Sequence, residues 1–249
     1  MSMLRSEGIR KDFSKFTALA GISLEVRKGE IRSIIGPNGA GKTTFFNVVT
    51  GKFKPTEGKI YFDGKDITGK PSYEIARYGI ARTFQIVNIF LNLTVLENIM
   101  IPVLNKYKKN RDFFSAPGIQ DDIMKDCLQV IKGVGLEKDA HSIAGNLSHG
   151  DKKKLDIGIG LARNPKMLLL DEPTGGLNPQ DNRAILSLIK TIAEKEKLTI
   201  VLVEHDMHAV FSISDNITVF HQGRIIAEGK PEDVRQNRLV IEAYLGEEF

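Results

Sequence analysis

Hydrophobic and polar positions along the chain follow two different patterns. Compact apolar runs bounded by glycine or polar residues are typical of strands buried on both faces of a parallel sheet. Three such runs occupy residues 31–35, 167–170 and 198–203. Residues 3–10 and 22–26 also predict strands, and the pairs Asp63-Gly64 and Gln222-Gly223 predict hairpin turns. These patterns indicate a mostly parallel sheet accompanied by an antiparallel β part.

The middle of the chain is patterned for helices instead. Thr94 followed by Glu97 is a capping box, which predicts a helix start, and residues 119–134 carry an apolar stripe at helical spacing. Residues 102–118 show no period and predict an irregular connection. We therefore expect one α/β domain built from 1–85 and 164–249, a helical subdomain at 86–163, and a helical tail from about 231 to 249.

The strongest chemical signal lies between the first apolar run and the helix that follows it. Gly36, Gly41, Lys42 and Thr43 match the phosphate-loop pattern G-x-x-x-x-G-K-[ST], in the strand, turn and helix context that the pattern requires. Glycines allow backbone N–H groups to surround an anion, and the helix start adds unpaired donors. The residues predicted to bind a nucleotide here are Gly36, Pro37, Asn38, Gly39, Ala40, Gly41, Lys42, Thr43 and Thr44.

Polar residues follow the other two apolar runs. Asp171 and Glu172 come directly after residues 167–170, and His205 follows 198–203. Ligands in α/β sheets bind at the carboxyl ends of the strands, so Asp171 is expected to be an outer ligand or a water-mediated partner of Mg²⁺. The adjacent Glu172 is expected to act on a water that attacks the γ-phosphate, and the Thr43 hydroxyl is placed to ligate the same cation. Zinc at His205 and His208 is disfavoured because no third ligand is evident.

Two further features leave alternatives open. Ser148 precedes a helical segment, where it serves either as an ordinary helix cap or as part of a second anion-binding helix start. Phe13 and Phe16 lie before the phosphate loop, and their spacing favours core positions over an exposed ring on which adenine stacks.

Composition excludes several classes of protein. With 249 residues and a net charge of +4, the chain is long enough for a sizeable core and too weakly basic to predict nucleic-acid binding. The lysine runs at 106–109 and 152–154 are interpreted as solvated faces. Cys127 is the single cysteine, so an internal disulfide and a cysteine-based metal cluster are excluded and a packing role is expected. No leader is evident and no apolar stretch approaches the roughly 20 residues of a membrane span, which predicts a cytoplasmic chain that reaches a membrane through partners.

The chain resembles the ATP-binding subunits of ABC transporters along essentially its whole length. The features that carry this resemblance are, in order, the phosphate loop, Gln85, LSHGD, LLLDEP and His205. The resemblance implies a P-loop ATPase that uses ATP and Mg²⁺. It assigns adenine stacking to Phe13, sensing of Mg²⁺ and water to Gln85, general-base catalysis to Glu172, and contact with the γ-phosphate to His205. Metal ligands implied are Thr43, Gln85 and Asp171.

The resemblance also implies an assembly. Ser148 and Gly150 would hold the γ-phosphate of a nucleotide bound to a second subunit, so that a homo- or heterodimer encloses two ATP molecules. The helical segment would receive transmembrane permease subunits, with an extracytoplasmic solute-binding protein as an indirect partner. Within the family, the chain looks most like the branched-chain amino acid uptake subgroup, on the basis of RYGIARTFQ, GLNP, LVEHDM and the closing IEAYLGEEF. Proteins for urea or amide uptake and for lipopolysaccharide export share some of these features.

Three residues depart from the family pattern. His149 stands where glycine is usual, Asp151 where glutamine or glutamate is usual, and Asn178 where an aspartate bridges the two sites. These departures put the fit at the dimer face and the communication between sites in question. The alternative functions are a soluble ABC-type ATPase of a non-transport assembly and a P-loop small-molecule kinase, which would leave NLSHG without a purpose.

Overall fold

A computed structural model describes residues 1–83, 89–107 and 118–244. Its larger sheet has six strands in the order β10-β9-β3-β8-β7-β6, parallel except for the antiparallel pair β9 and β10. The strands are β3 (Ile31–Ile35), β6 (Ile80–Arg82), β7 (Met167–Asp171), β8 (Thr199–Val203), β9 (Asn216–His221) and β10 (Arg224–Gly229). Because β3, β8 and β7 are neighbours and parallel, the residues that follow them meet at one edge of the sheet.

A second sheet of four antiparallel strands has the order β2-β1-β4-β5. It consists of β1 (Ser2–Phe13), β2 (Phe16–Arg27), β4 (Glu57–Phe62) and β5 (Lys65–Asp66). The first two strands extend beyond the predicted 3–10 and 22–26 because they stay paired to their tight turn, where Phe13 opposes Phe16. Both predicted hairpins are confirmed, and Asp63 and Gly64 adopt the positive φ values that this turn requires.

Helices cover the large sheet and fill the middle of the chain. They are α1 (Lys42–Val49), α2 (Ser72–Tyr78), α3 (Val95–Tyr107), α4 (Ile119–Gly133), α5 (His149–Leu161), α6 (Pro179–Glu196), α7 (Met207–Ile213), α8 (Pro231–Arg235) and α9 (Arg238–Tyr244). One apolar cluster joins α3, α4 and α5 to β7, β8 and α6, and Cys127 is buried in it as expected. A second cluster joins the antiparallel sheet to α1 and the other face of the large sheet.

The start of α3 confirms the predicted capping box. The Glu97 carboxylate accepts a hydrogen bond from the Thr94 backbone N–H at 2.7 Å, and the Glu97 N–H donates to the Thr94 hydroxyl at 3.1 Å. The prediction that residues 102–118 are irregular is wrong for 102–107, since α3 continues through Pro102 to Tyr107. Pro102 is buried and Val103 packs into the first apolar cluster, and this burial outweighs the backbone hydrogen bond that proline removes.

Across the described parts of the chain, no helix has the length and apolar content that crossing a bilayer requires.

Candidate nucleotide site

The phosphate loop leads from β3 into α1, as predicted, and two of its glycines are required by close backbone approach. A Cβ on Gly36 would lie 2.1 Å from the carbonyl oxygen of Phe220, and a Cβ on Gly41 would lie 2.7 Å from that of Ala18. Gly41 also has a φ of 103° at the start of α1, a left-handed conformation that side chains disfavour. The loop therefore lies directly against the surrounding strands.

The turn between β9 and β10 braces this loop from behind. The Gly223 N–H donates to the carbonyl of Ala40 at 3.0 Å, and the Gly223 carbonyl accepts from the Ala20 N–H at 2.8 Å. One turn thus connects the phosphate loop to the antiparallel sheet.

Lys42 points its side chain into the loop. Its ammonium donates to the carbonyl oxygens of Gly36 and Pro37. Thr43, in the first turn of α1, is exposed, and Thr44 beside it is half-buried. A cation and an exposed hydroxyl at a helix start are the groups that a triphosphate with a divalent cation requires.

Asp171 ends β7 as predicted, and an ion pair fixes its side chain. Its Oδ2 lies 2.7 Å from the Arg82 guanidinium, and both side chains are buried. Arg82 also donates to Asn47 Oδ1 of α1 at 2.7 Å. The Asp171 carboxylate is therefore tied to the helix that follows the phosphate loop.

Glu172 and His205 meet at the carboxyl edge of the sheet. The two residues leave neighbouring parallel strands, and Glu172 Oε1 lies 2.8 Å from His205 Nε2. A carboxylate has no proton to donate, so the imidazole donates Nε2–H whenever Glu172 is ionised. Glu172 has a φ of 49°, a strained conformation for a residue other than glycine. Strain of this kind concentrates at functional sites, where surrounding contacts hold it.

Glu204 lies between the loops that carry Glu172 and His205, and it is 3% exposed. Its Oε1 accepts from the N–H and the hydroxyl of Thr174 at 2.8 and 2.6 Å, and its Oε2 accepts from the His205 N–H at 3.2 Å. Burial raises the pKa of the Glu204 carboxyl above its ordinary value, against the opposing effect of these hydrogen bonds. Glu204 thereby joins the loop after Glu172 to the loop that carries His205.

Lys153 of α5 provides another contact. Its ammonium donates to the backbone carbonyl of Glu172 at 3.1 Å, and the residue is 5% exposed. The interpretation of the lysine run 152–154 as a solvated face is therefore wrong for its middle member. Lys153 shares the buried stripe of α5 with Gly150 and Ile157, at helical spacing.

Ser148 caps α5, and this confirms the predicted helix start. The Ser148 hydroxyl accepts from the Asp151 N–H at 3.1 Å and donates to Asp151 Oδ2 at 2.7 Å. Lys154 pairs with the same carboxylate at 2.8 Å. Gly150 packs so tightly that a Cβ there would lie 2.9 Å from the Asp181 carboxyl carbon.

Asn178 caps the neighbouring helix α6. Its Oδ1 accepts from the N–H groups of Gln180 and Asp181, and its amide donates to Asp181 Oδ2 at 2.8 Å. An aspartate at this position would lack that donor and would face the Asp181 carboxylate instead. The local hydrogen bonds thus account for asparagine at this departure from the family pattern.

Phe13 and Phe16 are exposed by 38% and 62%, so the preference for core positions drawn from their spacing is wrong. Both lie at the turn between β1 and β2, which keeps them at the end of the sheet. The Phe13 and Phe53 rings form a T-shaped pair with their centroids 5.2 Å apart, and the Lys11 ammonium lies 5.0 Å from the centroid of the Phe13 ring. Phe13 therefore presents a supported aromatic ring at the surface.

The chain matches known protein families in two regions. The profile described as ABC transporter matches residues 19–175, which include the phosphate loop, Ser148, Asp171 and Glu172. The chain belongs to the ABC transporter family. A second profile, described as branched-chain amino acid ATP-binding cassette transporter, matches residues 224–249.

Several curated relatives within this family match over nearly their whole length. The high-affinity branched-chain amino acid transport ATP-binding protein BraF of Pseudomonas aeruginosa is 39% identical, with 98% of each chain covered. The protein LivG of Salmonella typhimurium, named for the same transport, is 40% identical with the same coverage. The probable LivG of Archaeoglobus fulgidus is 38% identical over 99% of this chain and 96% of its own.

Solved ABC structures share the fold. The ADP conformation of one ATP-binding cassette superimposes with a TM-score of 0.87 at 36% identity, covering 99% of this chain and all of that one. A dimeric bacterial ABC transporter cassette gives a TM-score of 0.78 at 30% identity, covering 92% and 99%. The ABC fold predicted from the sequence is therefore confirmed.

The structure brings most of the predicted site residues of this ABC protein to one edge of the large sheet. Asp171 is the last residue of β7, Glu172 and His205 come after β7 and β8, and Lys42 begins the helix after β3. Gln85 lies outside the described residues. Sequence reasoning missed Arg82, Glu204, Lys153 and Phe53; a charged residue at the end of an apolar run marks Glu204, and the helical spacing from Gly150 marks Lys153.

The residues at this edge suit Mg²⁺. An exposed threonine hydroxyl and a carboxylate held in one orientation by Arg82 provide the oxygen donors that this cation prefers. Within the described ranges, no group of three or more histidine, cysteine, aspartate or glutamate side chains is arranged to hold a metal by itself.

Proposed function

We propose that this ABC protein is the ATP-hydrolysing subunit of a membrane transporter that takes up branched-chain amino acids. The observation that carries the ATPase proposal is the contact of 2.8 Å between Glu172 and His205, at the sheet edge that also bears the phosphate loop. Support for the solute comes from the names of relatives near 40% identity and from the subgroup profile at the C-terminus.

In this proposal the phosphate loop, residues 36–44, binds the triphosphate, and Lys42 moves its ammonium from the loop carbonyls to the β- and γ-phosphates. Phe13 stacks on adenine. Thr43, Asp171 and Gln85 would hold Mg²⁺, which would supply charge neutralisation on the phosphate oxygens when bound.

Glu172 acts as the general base. Its carboxylate orients a water and accepts its proton as the water oxygen attacks the γ-phosphorus, so that ADP leaves and phosphate forms. His205 donates to a γ-phosphate oxygen from the same edge, and its contact with Glu172 keeps the two side chains together before substrate binds.

Ser148 and Gly150 are proposed to complete the site of a second copy or a homologous subunit. The support is that α5 begins with a side-chain hydroxyl and a glycine packed against α6, in a family that includes dimeric cassettes. ATP held between two subunits favours the closed dimer, and hydrolysis releases it.

Transmembrane permease subunits would dock on the helical subdomain, residues 86–163. A cleft between α2 and α5 supports this position, and it is lined by Thr50, Ile75, Arg82, Pro102, Asp156 and Arg163. The protein would then lie at the inner face of the cell membrane, and an extracytoplasmic solute-binding protein would deliver the amino acid to the permease.

Replacement of the general base tests the ATPase and the dimer together. Glu172→Gln keeps the shape of the side chain but removes its basicity, so we expect turnover to fall more than about a hundredfold while ATP binding is retained. Gel filtration with ATP should show this variant as a dimer. A strictly monomeric variant, or one with normal turnover, would contradict the proposal.

Transport needs its own measurement. The protein is copurified with candidate permease subunits, reconstituted in vesicles with a solute-binding protein, and supplied with labelled leucine, isoleucine or valine. ATP-dependent uptake of these amino acids supports the proposal. Stimulation by urea or short amides, export of a lipid, or the absence of any permease partner would replace the solute assignment.

A further inference from the structure

Lys153 occupies an unusual position for a lysine. It belongs to a run of three lysines whose outer members are half-buried, and Lys154 pairs with Asp151. The side chain of Lys153 instead points inward, and the residue is 5% exposed. Removing an ammonium from water costs free energy unless a nearby acceptor compensates for the lost hydration. The acceptor of Lys153 is therefore important for the role of this residue.

That acceptor is the backbone of the proposed general base. The carbonyl of Glu172 accepts from Lys153 Nζ at 3.1 Å and also from the Gly175 N–H at 3.1 Å. The second bond closes the turn that holds Glu172 at a φ of 49°. Lys153 therefore contacts the turn whose geometry directs the Glu172 carboxylate toward His205.

The other end of this connection is Ser148. It caps α5 five residues before Lys153, a separation of about 7 to 8 Å along a helix axis. Buried residues along α5, among them Leu155 and Ile157, pack the helix into the main apolar cluster, so its first turns move together. A shift of the Ser148 end is thus expected to move the Lys153 ammonium as well.

We propose that Lys153 is a positioning residue that couples the Ser148 end of α5 to the Glu172 turn within one subunit. This inference rests on the proposed function, in which Ser148 contacts the nucleotide of the partner while Glu172 acts on the nucleotide of its own subunit. Lys153 then joins the two sites of the dimer through a single chain, and binding at one site adjusts the general base of the other.

The test compares three variants. Lys153→Met keeps the approximate length of the side chain without its donor, and Lys153→Arg keeps a donor. Lys152→Met is the matched control on the same helix. Steady-state ATP hydrolysis gives kcat, KM and the Hill coefficient for each variant. Gel filtration with ATP in the Glu172→Gln background reports dimer formation, and thermal unfolding reports stability.

We expect Lys153→Met to lower kcat about tenfold because the general base is displaced, with KM within about twofold of the original value. The Hill coefficient should fall toward one while ATP still forms the dimer. Lys153→Arg should recover most of the turnover and the cooperativity, and Lys152→Met should behave like the unmodified protein.

Three results would overturn the inference. They are unchanged kcat and Hill coefficient in Lys153→Met, an equal loss in Lys152→Met, and a loss of turnover that follows the unfolding temperature and is not restored by arginine. If Glu172→Gln abolishes turnover while Lys153→Met does not, the coupling fails and the proposed function stands. If the unmodified protein does not hydrolyse ATP, the proposed function itself fails.

Discussion

The two helix starts predicted to contact phosphate are built differently. At α1, Gly41 is the N-cap residue, and no side-chain oxygen among the described residues caps the helix. At α5, the Ser148 hydroxyl is engaged twice by Asp151, once as acceptor and once as donor. The first start therefore offers its backbone donors directly, whereas the second must share or exchange a hydroxyl that already stabilises the helix.

This difference indicates that the two helix starts have different roles, one in binding nucleotide and the other in assembly. We expect a site made of backbone donors and one lysine to bind nucleotide in the monomer, without a partner. We expect a site whose hydroxyl has an internal partner to contribute only once the assembly provides a better acceptor, such as a phosphate oxygen. We therefore expect changes at α1 to affect binding by the monomer, and changes at α5 to affect assembly.

The largest effect is expected at α1. Lys42→Ala removes a charge-assisted donor worth about 2 to 3 kcal/mol, so the dissociation constant for ATP should rise about 30- to 150-fold. Equilibrium binding of a fluorescent ATP analogue to the monomer measures this constant. Lys52→Ala, at an exposed position just after the same helix, should leave it unchanged.

Ser148→Ala should separate the two starts. Monomer affinity for ATP is expected to stay within about twofold, whereas dimer formation by the Glu172→Gln protein should weaken about tenfold, for a loss near 1.4 kcal/mol. Sedimentation at several protein concentrations with ATP gives the dimer constant. Ser148→Thr, which keeps a hydroxyl, is the control; weaker ATP binding by the monomeric Ser148→Ala protein would show that both starts serve one nucleotide.

The smallest effect concerns the pH dependence of α5. Burial by itself raises the pKa of the Asp151 carboxyl. Hydrogen bonds from Lys154 and Ser148 lower this pKa by more, so it lies below the ordinary value of 3.8. A lowered folded-state pKa stabilises the protein above pH 3.8, and this contribution disappears as pH falls through the folded value.

We expect the first turn of α5 to lose amide-exchange protection below about pH 4. Asp151→Asn should weaken this dependence and cost up to about 1 kcal/mol at neutral pH. Denaturant unfolding between pH 3 and 7 compares the two proteins. A parallel pH dependence in both would show that Asp151 is not responsible.

The sequence predicted elements best where local and long-range preferences agree. β3, β7 and α1 lie where the apolar runs and the glycines placed them, since each is bounded by a strong local signal. The helix through Pro102 was missed because tertiary burial outweighed a local penalty. The exposure of Phe13 depends on a turn between two strands, which spacing within one segment does not report.

The sequence predicts the residues proposed to contact nucleotide, but it does not predict the buried residues that hold them in place. Motifs locate Lys42, Glu172 and His205 because their chemistry dictates residue type and position in the chain. Arg82, Glu204 and Lys153 act through contacts between elements distant in sequence, and a single charged letter does not reveal that it is buried. The lysine run shows this most clearly, because two of its members are partly solvated and the third donates to the backbone carbonyl of Glu172.

The bond between Gly223 and Ala40 has a practical consequence for protein engineering. The stretch that distinguishes this subgroup starts at residue 224, immediately after the turn that braces the phosphate loop. A chimaera that exchanges C-terminal segments between transporters of different specificity would therefore retain nucleotide affinity when its junction lies after this glycine. A junction placed a few residues earlier would disturb ATP binding, even though every residue of the phosphate loop were kept.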